Sequence, residues 1–116
     1  MIEIARVYNH KHDDFSILVD RVWPRGLKKQ DVMADLWARD IAPSNQLRKW
    51  FSHDETKWKE FRTRYIKELS SKENLSRLKE IKELEKKHVK ITLLFGAKNE
   101  KYNQAVVLKS VLDKMK

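Results

Sequence analysis

Apolar and polar positions along the chain follow two rhythms. Ile2 to Tyr8 is short and alternates, the period-two mark of a strand. Asn9 to Asp14 is polar and turn-like, and includes His10, His12 and the pair Asp13-Asp14. Phe15-Ser16-Ile17-Leu18-Val19-Asp20-Arg21-Val22-Trp23 has a β-branched, nearly continuous apolar centre, as a buried strand does. Pro24 brings no N–H to a ladder and restricts the residue before it, so that strand is expected to end there. Gly26 releases the chain into a loop. Residues 28–36 fit a short helix, and Leu36 to Ile41 fits either strand or helix.

The period then lengthens. Ser44, after Pro43, stands as N-cap of a helix over 45–51 that sets Leu47, Trp50 and Phe51 on one face. Ser52 and Glu55 have capping-box spacing, with Asp54 as a competing cap. Trp58, Phe61, Tyr65 and Leu69 recur every three or four residues, the stripe of an amphipathic helix. Ser71 opens another, carried by Leu75, Leu78, Ile81 and Leu84. His88 to Phe95 reads as a second buried strand and Gly96 to Glu100 as a loop. Ala105, Leu108, Val111, Leu112 and Met115 define a terminal helix. Strands interleaved with helices predict one α/β domain over 1–116, a compact layered sandwich with a central, mostly parallel sheet flanked by helices. Two helices before the 88–95 strand are ample for a parallel crossover.

Composition narrows the chemistry. With 116 residues and no cysteine, a disulfide framework, a thiolate metal site and a cysteine nucleophile are excluded. No apolar run approaches the ~18 residues of a membrane span. No secretion signal opens the chain, and the expected compartment is the cytoplasm. Glycines stand only at 26 and 96, so there is no phosphate loop or dinucleotide fingerprint, and no cofactor is expected. No metal-ligand spacing is present, and nothing specifies an oligomeric state.

The net charge of +9 draws anions. Residues 57–90 concentrate it, with twelve Lys or Arg against six Glu. Glu interleaves with Lys at helix spacing there, Lys79 with Glu83 for example, so a solvated helical face accounts for most of the excess.

Candidate chemistry lies at the strand ends. In open α/β sheets, ligands bind outside the carboxyl ends of the strands. Asp20, Arg21, Arg25 and Lys98 lie where the two buried strands end and would share one rim if those strands run parallel. Two arginines and a lysine suit an oxyanion, because guanidinium offers a rigid donor fork. Asn103 completes the rim, and the following helix start adds backbone N–H donors. Trp23 walls the pocket. Asp20 either moves a proton or orients an arginine, and His53 is the second candidate for proton transfer. Trp37, Trp50 and Trp58 fall within apolar patterns and read as core.

These segments resemble the small YeaO-like branch of the DUF488 family, which is of unknown function. The resemblance is carried by Asp20-Arg21-Val22-Trp23-Pro24-Arg25-Gly26, Ala42-Pro43-Ser44, Leu47-Arg48-Lys49-Trp50-Phe51, His53-Asp54 and Leu93-Leu94-Phe95-Gly96-Ala97-Lys98, with Asn103 and Ala105 to Leu108 beyond. It runs over nearly the whole chain. It implies an α/β sandwich with a polar pocket at the strand ends. Three positions depart from the family pattern: Ser52 replaces a glycine, Asn99 an aspartate and Tyr102 a histidine. The last two changes weaken a general base there and leave Arg21, Arg25 and Lys98 untouched.

The function expected is binding of a small phosphate- or carboxylate-bearing anion in a strand-end pocket, with phosphoester or nucleotide hydrolysis as the first reaction to screen. The alternative is a nucleic-acid-binding accessory protein using the basic helical face. A purely protein-binding role would require a sizeable exposed apolar patch.

Overall fold

The computed structural model describes residues 1–9 and 15–115. Strands β1 (Ile2–Arg6), β2 (Phe15–Leu18), β3 (Leu36–Trp37) and β4 (Ile91–Phe95) form a sheet in the order β1-β4-β2-β3. Every pairing is parallel, and β4 runs between β1 and β2 with Leu93 opposite both Ile4 and Ile17. All four carboxyl ends therefore meet at one rim. Five helices surround the sheet: α1 (Lys29–Val32), α2 (Asn45–Phe51), α3 (Trp58–Leu69), α4 (Lys72–Lys87) and α5 (Gln104–Lys114). The layered α/β fold and its parallel sheet are as the sequence predicts.

The sheet divides its side chains between two unequal cores. Ile17, Val19, Leu93 and Phe95 face a large core that includes Phe61, Tyr65, Leu78 and Leu108 from α3, α4 and α5. Leu18 and Leu94, one residue out of phase, join a small cluster with Val7 and Val32, against which Trp23 and Trp37 pack. This is the period-two alternation of a strand with both faces covered. Trp50 and Trp58 are half-buried against the large core.

Several boundaries differ from the sequence reading, each for a local reason. β2 ends at Leu18, well before Pro24. Val19 N still donates to the Leu94 carbonyl at 3.0 Å, but the Gly96 N–H goes to the Asp20 carboxylate at 2.9 Å, so a side chain replaces the ladder there. The ambiguous stretch 36–41 is both things: β3, then a 3₁₀ turn over Arg39–Ile41. α1 stops at Val32 because Met33 turns left-handed, with φ 51°. The Ser52–Glu55 capping box does not form. Ser52 is the left-handed C-cap of α2, and Asp54 caps instead, accepting Thr56 N at 3.0 Å ahead of a 3₁₀ turn over Glu55–Lys57. His88 ends α4 and stacks on Phe15, so β4 begins only at Ile91. Ser44 and Ser71 cap α2 and α4 as expected. The turn reading of 9–14, with His10 and His12, falls almost wholly outside the described residues. Among those residues no helix is long and apolar enough to cross a membrane.

Candidate functional site

A cavity of about 480 Å³ opens at the carboxyl rim of the sheet. The segment after β2 supplies Asp20 through Arg25, the turn after β4 supplies Gly96 and Ala97, α2 supplies Arg48, Lys49 and Phe51, and the start of α5 supplies Asn103 and Gln104. Ser52, His53, Pro43, Phe61 and Tyr8 close the wall.

Asp20 is the knot of this rim. Its Oδ2 accepts the Gly96 N–H at 2.9 Å, and its Oδ1 accepts the Gln104 side-chain amide. The end of β2 is thereby tied to the end of β4 and to the first turn of α5. The approach is so close that a Cβ on Gly96 would lie 2.8 Å from Asp20 Oδ2. Burial raises the Asp20 carboxyl to about 6, against the lowering effect of its bonds to Gly96 and Gln104. Its backbone carbonyl accepts the Trp37 indole N–H at 2.7 Å. Asp20 bonds to neither arginine, so it does not orient them.

Arg21 is a strut. Its Nε donates to the Pro43 carbonyl at 2.7 Å and its Nη2 to the Ala42 carbonyl at 3.0 Å. On the far side Glu68 accepts from Ser44 N at 2.9 Å and Ser44 Oγ at 2.7 Å. The Tyr65 hydroxyl, buried in α3, donates to the Ile41 carbonyl at 2.7 Å. These bonds hold residues 41–44 from three sides. They fix where α2 starts, and so where its last turn places Arg48 and Lys49.

Arg25 is exposed, and Tyr8 Oη donates to its backbone carbonyl at 2.8 Å. Trp23 lines the cavity, but its indole N–H goes to the Leu27 carbonyl at 2.7 Å and its ring meets Trp37 edge-on. Asn103 is buried and acts as the N-cap of α5: Oδ1 accepts Val106 N at 3.2 Å and Nδ2 donates to the Asn99 carbonyl at 2.9 Å. His53 is exposed on the wall, and the Asp54 carboxylate beside it is engaged by the Thr56 N–H and hydroxyl, so the two form no dyad. Ser52 and His53 are consecutive left-handed residues, with φ 44° and 59°.

Of the residues named from the sequence, Asp20, Arg21, Trp23, Arg25, His53 and Asn103 meet around one cavity. Lys98 is exposed and is not part of its lining. Two of the three departures from the family pattern, Asn99 and Tyr102, have local roles. Asn99 Oδ1 accepts the N–H groups of Lys101 and Tyr102, and the Tyr102 ring packs on Trp58 at 5.2 Å. Sequence reasoning missed Arg48, Lys49 and Gln104. The signal for the first two was present, since a helix over 45–51 with Leu47, Trp50 and Phe51 inward turns its remaining residues outward. Gln104 needed the fold.

A second recess between α2 and α3 contains Trp50, but Arg64 and Lys57 sit over that ring at 4.3 and 5.0 Å, and Glu68 there is engaged by Ser44. Among the described residues no three His, Asp or Glu side chains are grouped to hold a metal ion.

The family model of the inactive DUF488-N3 subclade matches residues 1–115, and the chain belongs to that family. It is 41% identical over 109 residues to the uncharacterized protein YeaO of Escherichia coli K12, with 92% of each chain covered. It is 38% identical over 82 residues to the uncharacterized protein Rv3073c of Mycobacterium tuberculosis H37Rv, covering 69% of this chain and 70% of that one. The uncharacterized protein Mb3100c of Mycobacterium bovis matches over the same length and identity. No solved structure matches. The chain thus belongs to the YeaO-like DUF488 branch, and these relatives are uncharacterized.

Proposed function

We propose that the strand-end cavity binds a small phosphate-bearing anion. One observation carries this reading. Arg21, Arg25, Arg48 and Lys49 line the cavity against a single carboxylate, Asp20, and none of the four is ion-paired among the described residues. Unpaired guanidinium and ammonium groups around a concavity concentrate an anion and grip it with charge-assisted bonds. Arg21 gives two of its donors to carbonyls, so Arg25, Arg48 and Lys49 are the groups left to hold a ligand. Asn103 serves by fixing the start of α5, and Trp23 by walling the site.

Binding without turnover is favoured over hydrolysis. A base needs a partner that orients it, and among the described residues no hydrogen bond orients His53. Asp20 is held as a joint between strands. The subclade's description as inactive agrees with this. The nucleic-acid reading is less favoured, because α4 already pairs Arg77 with Glu80, Lys82 with Glu85 and Lys86 with Glu83.

Titration calorimetry with orthophosphate and pyrophosphate tests the proposal, beside a single-stranded oligonucleotide at two salt concentrations. Saturable pyrophosphate binding at one site supports it. Absence of phosphate binding, with oligonucleotide binding that falls steeply with salt, overturns it in favour of the basic helical face.

A further inference from the structure

We infer that the ligand of this cavity is a nucleoside phosphate whose base presents adjacent N–H donors to Asp20, as guanine does through N1–H and its 2-amino group. The inference deepens the anion-binding reading and rests on it.

Among the described residues Asp20 is the one carboxylate in the lining, and none of the lining cations bonds to its carboxylate. It accepts from Gly96 N and Gln104, while Arg21 turns to the Ala42 and Pro43 carbonyls. A carboxylate has about four lone-pair sites, so each Asp20 oxygen can accept once more. A negative charge left standing in a cationic cavity repels a plain anion. It favours only a ligand that brings a donor to it as well as an anion to the cations.

Size and walls point the same way. A cavity of about 480 Å³ is far larger than an oxyanion needs and matches the range for small organic ligands. Trp23, half-buried, and the buried, mutually stacked Phe51 and Phe61 contribute apolar atoms to its lining. The base lies against that apolar wall, with its phosphate on Arg25 and Arg48. Guanine fits Asp20 better than adenine does. Its two donors lie side by side and match the carboxylate fork, whereas adenine sets the N1 acceptor against that charge.

Calorimetry on the full chain with GMP, IMP, AMP and pyrophosphate tests this. IMP keeps N1–H and lacks only the 2-amino group. GMP is expected to bind about tenfold tighter than IMP, the effect of one hydrogen bond to a charged acceptor, and AMP more weakly than either. In Asp20→Asn the GMP/IMP ratio collapses to within about twofold while pyrophosphate binds more tightly, since a like charge has gone. Equal affinity of the wild-type chain for GMP and IMP overturns the inference, whatever the variant does. An equal loss of GMP and pyrophosphate in Asp20→Asn also overturns it and leaves Asp20 a structural joint. Pyrophosphate binding with no base preference sinks this inference and spares the anion site, whereas no binding by any probe sinks both.

Discussion

The strand-end cavity and the α3–α4 hairpin both carry several cations, but they hold them differently. On the hairpin several cations have an acid one turn away: Arg64 meets Glu60, Arg77 meets Glu80 at 2.6 Å and Lys82 meets Glu85 at 2.7 Å. The Lys82 bond holds the Glu85 carboxyl below its usual range. Such pairs keep a helix soluble and contribute little to stability. In the cavity the cations face a carboxylate that bonds elsewhere. Positive charge therefore says little about function until its partners are known. The +9 of the whole chain reads mostly as hairpin surface, while the proposed anion site needs only three or four side chains in a concavity.

The comparison breaks most readily at Gly96. Gly96→Ala puts a methyl group 2.8 Å from Asp20 Oδ2, and the carboxylate is held by Gln104 as well. We expect a loss of about 2–3 kcal/mol in urea unfolding, in the range of overpacked sites, together with loss of phosphate binding. An alanine with wild-type stability would show the rim to be slack.

Asp20→Asn is expected to act in the opposite direction. The folded-state carboxyl titrates near 6, above its ordinary 3.8, because burial disfavours its charge. Between those values the folded chain holds a proton that the unfolded chain has lost. This contribution to stability is complete below about pH 4 and is lost as pH rises through about 6. Asparagine keeps the shape, accepts Gly96 N and can donate to a flipped Gln104 amide. At pH 8 it is expected to be more stable than wild type by about 1–2 kcal/mol, with a flatter stability profile between pH 4 and 7. Unfolding midpoints across that range check the sign.

Ser52 allows a smaller test. It takes φ 44° without being glycine, and the resemblance places glycine there. Ser52→Gly relieves that strain and is expected to raise stability by about 0.5–1 kcal/mol, read from the thermal midpoint. On the hairpin, Lys86→Ala removes an exposed pair with Glu83 and is expected to change stability by less than about 0.5 kcal/mol.

These contrasts also show what the sequence makes legible. Periodicity finds the helices carried by Phe61-Tyr65 and by Leu78-Ile81, because burying one stripe is a local pattern. It finds the buried strands at 15–18 and 91–95 and, through the crossover length, their parallel pairing. It extends β2 to Trp23, because Val22 and Trp23 look apolar and the takeover of the Gly96 N–H by Asp20 spans 76 positions. The site is legible in part for the same reason. Asp20, Arg21 and Arg25 adjoin a recognisable strand, but whether Arg21 grips a ligand or a neighbouring carbonyl depends on where residues 42 and 43 pass. Lys98 looked like a member of the rim by position alone, and the turn built on Asn99 follows it outside the cavity lining.

The central claim is that the cavity, and not the hairpin, is where an anion binds. Pyrophosphate titration of two double variants, Arg25→Ala/Arg48→Ala in the cavity and Lys79→Ala/Lys86→Ala on α4, decides between them. The account predicts that the first pair weakens binding by about a hundredfold, two charge-assisted contacts at about tenfold each, and that the second changes it by less than about twofold. Equal weakening in both, or undiminished binding in the cavity variant, would contradict it.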